Sequence, residues 1–242
     1  SGCIYQIARV FRDGEAGRRH NPEFTLLEWY RVGFDHHRLM DETAALVAEL
    51  LAGRLSLQKP ERLSYQEIFQ RRLGLDPHRA TVAELAAGAA AQNVPIPSGM
   101  PLNDPDPWLN LLLTHRIEPE LGQGRLTFVY DYPVSQAALA RLRPGDPPVG
   151  ERFELYLNGV ELANGFHELG DAIEQRRRFV AENAVRRAAG LPEMPVDEAL
   201  LAALAAGLPK CAGVALGFDR LVMLAAGKAS IQPTMAFAID RA

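Results

Sequence analysis

Apolar and polar residues change their spacing several times along the chain, and each change predicts an element. Residues 4–12, Ile-Tyr-Gln-Ile-Ala-Arg-Val-Phe-Arg, are rich in β-formers and predict a strand. A polar, glycine-containing stretch over 13–21 predicts a loop. Residues 24–30 predict a second strand, so the two make a long antiparallel hairpin. From His37 to Leu51, positions Leu39, Met40, Thr43, Val47, Leu50 and Leu51 recur at helical spacing, with Gly53 as a stop. Residues 56–123 read as mostly helical, broken at Asp76-Pro77 and through the Pro/Gly stretch 95–107. A strand is expected over 126–130, a proline-rich loop over 141–150, and a hairpin over 153–162 turning on Asn158-Gly159. Helices follow over 168–189, closed by Gly190 with Pro192 beyond, and over 197–206. A core strand over 214–218 leads into a last helix over 219–226.

Long antiparallel strands and separate helices, without βαβ alternation, define an α+β fold. The length fits one domain over residues 1–242, and no internal repeat is present. Because the first residues already read as a strand, the chain is expected to start inside a fold.

Composition narrows the class. A hydrophobic fraction of 48% and a charged fraction of 23% are those of a soluble globular enzyme. No apolar run approaches the roughly 20 residues of a membrane span, and no secretory signal is present. Cys3 and Cys211 are too few for a disulfide framework or a cysteine zinc site, and read as buried thiols in a reducing cytoplasm. The net charge of −4 weighs against a grip on a large nucleic acid. Short basic clusters at Arg18-Arg19-His20, Arg141/Arg143 and Arg176-Arg177-Arg178 read as solvated faces.

Three constellations carry chemistry. In the first, period-2 geometry puts Phe24, Leu26, Glu28 and Tyr30 on one strand face. A carboxylate and a phenol so placed suit a ligand with an amino group, and Arg12 offers a planar fork for phosphate. The competing reading is an amphipathic hairpin with its polar side in water. In the second, a turn at Asn158-Gly159 would pair 157 with 160, 156 with 161, and 154 with 163. Glu154 and Glu161 then become diagonal neighbours that could share Mg²⁺; a solvated acidic hairpin is the alternative. Gly165 breaks the strand, which leaves the facing of Asn164 and Glu168 open. In the third, Gly213-Val214-Ala215-Leu216-Gly217-Phe218-Asp219-Arg220, small residues permit close approach of a ligand or another backbone, and Asp219 could cap the next helix.

Together and in this order, these segments resemble motifs 2 and 3 of class II aminoacyl-tRNA synthetases. The carrying residues are Phe11-Arg12 through His20-Asn21-Pro22-Glu23-Phe24-Thr25-Leu26-Leu27-Glu28-Trp29-Tyr30, then 161–169, 213–220 and the terminal Ile239-Asp240-Arg241-Ala242. The likeness is to lysyl-tRNA synthetases, and more so to their truncated paralogues, the elongation factor P–(R)-β-lysine ligases. It spans nearly the whole chain.

The resemblance implies a class II synthetase-like antiparallel sheet flanked by helices. It implies that Arg12 meets the ATP α-phosphate, that Asp13, Gly14 and Asn21 line the nucleotide site, and that Phe24 and Arg220 sandwich the adenine. Glu161, with the Leu162 backbone, would meet ATP and metal, Glu154 being the second metal carboxylate. Gly217 would let the nucleotide approach. Tyr30 and Glu168 would hold the amino acid, lysine or (R)-β-lysine, with Glu28 and Asn164 helping. The implied catalytic residues are Arg12, Glu161 and Arg220, with ATP and Mg²⁺ required. The implied acceptor is elongation factor P and not tRNA, and the complete chain would be a homodimer.

Three departures qualify this. Lysyl-tRNA synthetases usually have Glu where this chain has Gly14, followed by Glu15. Where those synthetases commonly have glycine, Ala215 would reshape the amino-acid pocket. The motif 1 region, which builds the dimer interface, is absent before motif 2. The rival readings are a lysyl-tRNA synthetase catalytic domain and a non-catalytic paralogue that binds amino acid.

Overall fold

The computed structural model describes residues 2–241; Ala242, quoted above with the C-terminal motif, lies outside it. Strands β1 (Ile4–Phe11) and β2 (Glu23–Val32) form the expected hairpin, with Ile4 opposite Tyr30 and Phe11 opposite Glu23. Helix α1 (His36–Leu51) starts at Asp35, whose carboxylate accepts from the Arg38 N–H at 2.8 Å.

The next element departs from the expected helix. Residues Gln58–Ser64 form a strand, β3, which among the described residues pairs only with β4 (Arg125–Pro133), and in parallel. Its Lys59, Pro60, Glu61 and Arg62 are what an edge strand carries, proline and charge where no second neighbour bonds. They break the apolar alternation by which a strand is read. Helices α2 (Tyr65–Leu73), α3 (Val82–Ala91) and α4 (Asp106–Leu112) then follow with their breaks where the sequence places them. Ser64 and Thr81 open α2 and α3 in reciprocal capping boxes with Glu67 and Glu84.

The remainder is β5 (Leu142–Arg143), β6 (Val149–Leu157), β7 (Val160–His167), α5 (Ala172–Ala188), α6 (Glu198–Gly207), β8 (Cys211–Gly217) and α7 (Phe218–Ala225). Two boundaries differ from expectation. β5 and the start of β6 lie inside the supposed proline-rich loop. Helix α5 begins at Ala172 instead of 168, because Asp171 caps it by accepting from the N–H groups of Ile173 and Glu174. Cys3 is exposed and only Cys211 is buried, since Cys3 precedes the sheet's edge strand.

The strands form one sheet in the order β1-β2-β8-β7-β6-β4-β3, with β5 on β6. Every pairing but β3–β4 is antiparallel. Trp29, Phe128, Phe153, Leu155, Val214 and Leu216 point to one face and bury against Leu39, Met40, Val47 and Leu51 of α1. On the other face, Val129, Tyr132 and Tyr156 pack under α2, α3 and α4 at the β4–β6 end. The β7–β8–β2 end of that second face lacks this helical cover. Among the described residues, no helix is long and apolar enough to cross a membrane.

The β6–β7 hairpin turns on Asn158-Gly159 as expected, but its register does not stay flush. Tyr156 faces Glu161, whereas Leu155 faces Ala163 and Glu154 faces Asn164. Leu162 is therefore an extra residue, a β-bulge, and the predicted pairing of 154 with 163 is one position off. The turn is clamped from outside. Asn158 N–H donates to Gly122 O and Gly159 N–H to Leu121 O, each at 2.8 Å.

Gly122 sits in the left-handed region with φ +71°. A β-carbon there would lie 2.6 Å from both Leu157 Cα and Tyr156 O. Gly53 has nearly the same φ, +72°, with nothing within 4 Å of such an atom. Gly53→Ala should therefore cost only the backbone term of about 1–2 kcal/mol. Gly122→Ala must add the collision with β6, and in urea denaturation its midpoint should fall clearly further. Equal midpoints would show that the turn yields freely.

Candidate active site

The site begins with β8. Ala212, Val214 and Leu216 are buried in the α1 core, so Gly213, Ala215 and Gly217 occupy the opposite face. Flanking them in register are Leu26, Glu28 and Tyr30 of β2, and Asn164 and Phe166 of β7. The central strand has almost no side chain on this side, and its neighbours supply the chemistry.

A β-carbon on Gly213 would lie 2.4 Å from Glu168 Oε1 and 2.5 Å from Tyr30 Cε1. Glycine is what allows this carboxyl and phenol to sit together over the strand. Burial pushes the Glu168 carboxyl up to about 7. Burial also raises the Tyr30 hydroxyl, with the nearby charges of Glu168 and Glu28 adding to the effect. Glu28 accepts a hydrogen bond from Gln6 Nε2 at 3.1 Å, and Ala215 lies between Glu28 and Asn164. The predicted amino-acid residues therefore converge.

Beside them opens a cleft of about 320 Å³, lined by Arg12, Asn21, Phe24, Glu154, Glu161 and Arg220, among others. Leu162, Asn164, Ala215 and Gly217 border it as well, whereas Glu28, Tyr30 and Glu168 do not; Glu168 borders a neighbouring hollow with Arg141, His167 and Lys210. Asp13 and Gly14 do not line it. They turn the β1–β2 loop outward, Asp13 Oδ1 accepting from the Gly14 N–H at 2.9 Å, with Gly14 at φ +75°. Glu15 lines the cleft instead, 3.3 Å from Arg12 Nη1. The carboxylate missing at position 14 is thus present one residue later.

Arg12 stands exposed at the rim, its guanidinium carbon 5.7 Å from the Phe24 ring centroid. Arg220 is held firmly. It donates from Nη1 to Glu161 O at 2.8 Å and to Glu161 Oε2 at 3.3 Å, and from Nε to Arg19 O at 3.2 Å. His20 Nε2 lies 2.7 Å from its Nη2. Asp219 does not cap α7, whose N-cap is Gly217; its carboxylate accepts from the Thr25 N–H at 2.6 Å and ties the helix to β2. Asn21 donates to Glu23 O at 2.6 Å and accepts from the Ile239 N–H at 2.9 Å, which joins the C-terminal turn to the cleft wall. At Gly217 an added β-carbon would meet only ordinary contacts, the nearest at 3.6 Å. Protein packing does not demand glycine there; what its absence of a side chain keeps clear is the cleft.

The bulge at Leu162 decides the acidic end. Glu161 opposes Tyr156 and Asn164 opposes Glu154, so residues three apart on β7 share the face of Glu154. The Tyr156 hydroxyl donates to Glu154 Oε2 at 2.5 Å, and Arg152 forms an ion pair with Glu154. Arg152 also donates to Asn164 Oδ1 at 3.3 Å and to Gln136 O at 2.7 Å. Burial raises the Glu161 carboxyl and the Glu154 charge raises it further, while Arg220 opposes both. Glu118 is raised by the same two causes. Glu161, its ionisation disfavoured by burial and by the Glu154 charge, forms with Glu154 a donor set suited to a hard, oxygen-seeking cation.

Arg19, His20, Arg152 and Glu118 were not singled out from sequence. Arg152 could have been, since it lies two positions from Glu154 on the same strand face. Arg19 and His20 belonged to a cluster read as solvated, although Arg19 donates to Gly159 O at 2.6 Å. Glu118 stands in a short 3₁₀ turn and carries no periodic signal.

Comparison with known proteins fits this geometry. Residues 2–241 match the family described as tRNA synthetases class II (D, K and N), and the chain belongs to that family. More narrowly, it is similar to the elongation factor P–(R)-β-lysine ligase of Vibrio cholerae, 52% identical over 242 residues that make up 100% of this chain and 73% of that protein. It is likewise similar to the protein of that name from Klebsiella pneumoniae, 51% identical over 244 residues covering 100% of this chain and 74% of the relative.

Gly213→Ala should force Tyr30 and Glu168 apart. Losing a charge-assisted contact of about 1.5–3 kcal/mol corresponds to a rise of roughly tenfold or more in KM for the amino acid. ATP–pyrophosphate exchange, run with thermal melts to verify folding, should show KM for ATP nearly unchanged. An unaltered amino-acid KM in a folded variant would remove this pair from the substrate site.

Proposed function

We propose that this chain activates (R)-β-lysine, or lysine, with ATP as an aminoacyl-adenylate and transfers it to a lysine side chain of elongation factor P. The observation that carries this reading is the pairing of Tyr30 and Glu168 over Gly213, two positions along β8 from Ala215 in the wall of the cleft. A carboxyl and a phenol suit an ammonium-bearing amino acid, and membership of a class II synthetase family implies ATP-driven activation. The names of the ligases from Vibrio cholerae and Klebsiella pneumoniae supply the acceptor and the isomer.

In this reading the adenine lies between Phe24 and Arg220, a stack with a cation–π component. The contacts of Arg220 to Glu161, Arg19 and His20 keep its plane from rotating away. Arg12 is exposed and lightly tethered to Glu15, free to turn onto the α-phosphate. The substrate carboxylate attacks the α-phosphorus and pyrophosphate leaves, while the Arg12 guanidinium offsets the charge that develops. Glu154 and Glu161 would hold Mg²⁺, which when bound supplies positive charge beside the phosphates. Tyr30, Glu168 and Asn164 fix the amino acid so that its carboxylate faces the cleft. In the second half-reaction the acceptor's ε-amine attacks the acyl carbonyl and AMP departs, with no covalent link to the enzyme.

An acidic net charge of −4 supports a protein acceptor over tRNA. Given ATP and labelled (R)-β-lysine or lysine, label should enter elongation factor P and scarcely enter tRNA-Lys. Efficient charging of tRNA with no labelled protein would overturn the acceptor assignment.

The raised Glu168 carboxyl makes the amino-acid step pH-dependent with a definite sign. Below about 7 the free site takes up a proton and loses its attraction for an ammonium group. KM for the amino acid should therefore climb as pH falls through that value, approaching about tenfold per unit. Glu168→Gln should bind more weakly at high pH and show a flattened profile. A variant that keeps the full wild-type pH dependence would assign the titration to another group.

A further inference from the structure

On the sheet face opposite the cleft, three side chains meet beneath the first turn of α1. His36 opens the helix, and Glu151 of β6 and His167 of β7 lie across from one another, next to the Arg152–Phe166 pair. Each offers one ligand atom, and these atoms lie within 4.8 Å of one another. His36 is 1% exposed, and neither of its ring nitrogens has a hydrogen-bond partner. The carboxylate beside it, Asp131 Oδ1, is also buried without a hydrogen bond, 3.6 Å from His36 Nε2. His167 Nδ1 and Glu151 Oε2 are 2.7 Å apart. Buried polar atoms are nearly always satisfied by protein, water or an ion, and two such atoms facing each other beside a His–Glu pair call for an explanation.

We propose that His36, Glu151 and His167 form a binding site for a divalent transition-metal ion of the zinc type. Two imidazoles and one carboxylate are a donor set that zinc accepts, whereas Mg²⁺ and Ca²⁺ prefer oxygen alone. Zinc bonds of about 2.0–2.2 Å in a tetrahedron hold ligand atoms roughly 3.3 Å apart, so side-chain rotation suffices to close the set. Asp131 has a place in either tautomer. With the ion on His36 Nδ1, the Nε2–H donates to Asp131, the usual carboxylate support of a metal-bound histidine. With the ion on Nε2, Asp131 is at hand as a fourth ligand. Arg143, ion-paired to Asp131, holds that carboxylate in position. His37 lies tilted against His36 at 4.2 Å between centroids and edges onto Tyr130, which steadies the ring.

The ion would join the start of α1 to the ends of β6 and β7. His167 immediately precedes Glu168, so the same bond would stiffen the backbone that presents the amino-acid carboxyl. This site stands on different residues from the ATP cleft, and its test does not require the proposed activity.

The protein is stripped with a chelator and dialysed against Zn²⁺ or Co²⁺, and bound metal is counted by elemental mass spectrometry. One equivalent should be retained, with Tm raised by about 5–10 °C at a hundredfold excess over Kd. Glu151→Gln, nearly isosteric, and His167→Ala should each reduce retention at least tenfold while circular dichroism shows a folded chain. Glu161→Gln, in the cleft, should still retain the ion. The Co²⁺ form should show ligand-field absorption without a thiolate charge-transfer band, which separates this site from Cys3 and Cys211. Retention well below one equivalent would overturn the proposal. So would retention insensitive to Glu151→Gln in the folded protein, or a thiolate band.

Discussion

The whole arrangement depends on a strand with opposite demands on its two sides. β8 must fill the core against α1 with Val214 and Leu216, and must leave the other side nearly empty. Strand geometry makes this possible, because successive side chains leave the backbone in opposite directions. Each substitution on the bare side has its own consequence. At Gly213 a side chain would collide with Tyr30 and Glu168, while at Gly217 it would intrude on open space. Only Ala215 carries an atom there, between the polar residues of β2 and β7. The binding surface is therefore made by neighbours leaning over a strand that withholds its own side chains.

Charge is distributed along this surface in the same economical way. Arg152 satisfies Glu154, Arg220 leans on Glu161, and Arg12 waits at the rim beside Glu15. The pairing is incomplete at the acidic end, where burial and proximity keep Glu161 above the usual carboxylate range despite Arg220. Burial first, and the Glu154 charge with it, outweigh the nearby guanidinium, which leaves room for added positive charge. Glu168 differs, since burial alone raises it. In the proposed function a divalent cation would meet the first need and an ammonium group the second.

Legibility in the sequence followed the strength of local pattern. The β1–β2 hairpin was readable because period-2 alternation and a polar loop agree, and the face shared by Leu26, Glu28 and Tyr30 followed from it. Helix α1 was readable from its apolar spacing. β3 was not, because a strand bonded on one side and lined with Lys59, Pro60, Glu61 and Arg62 shows no alternation. Of the residues resembling motifs 2 and 3, Arg12, Asn21, Phe24, Glu161, Asn164 and Arg220 line one cleft, Glu28, Tyr30 and Glu168 do not line it, and Asp13 and Gly14 turn away from it. The role of Arg152 could have been read from its spacing to Glu154. The cluster of His36, Glu151 and His167 could not, since three distant segments meet there only once the sheet is paired.

The bulge at Leu162 also bears on how such a sequence can vary. Insertions and deletions in a hairpin are usually judged by whether the loop tolerates them, yet here the strand itself counts residues. Leu162 is the residue without a partner, and flush pairing of the same chain would shift every later residue of β7 by one. Asn164 and Phe166 would then turn toward the α1 core, and Ala163 and Gly165 toward the ligand. Loss of one residue from this hairpin should therefore be absorbed at the bulge, leaving Asn164 opposite Glu154, whereas the clamped turn at Asn158-Gly159 has little room for change. In an aligned set of homologues, a one-residue gap at Leu162 would mark a chain that has lost the bulge and kept the facing of Asn164, whereas an inserted residue would need a second bulge to keep it.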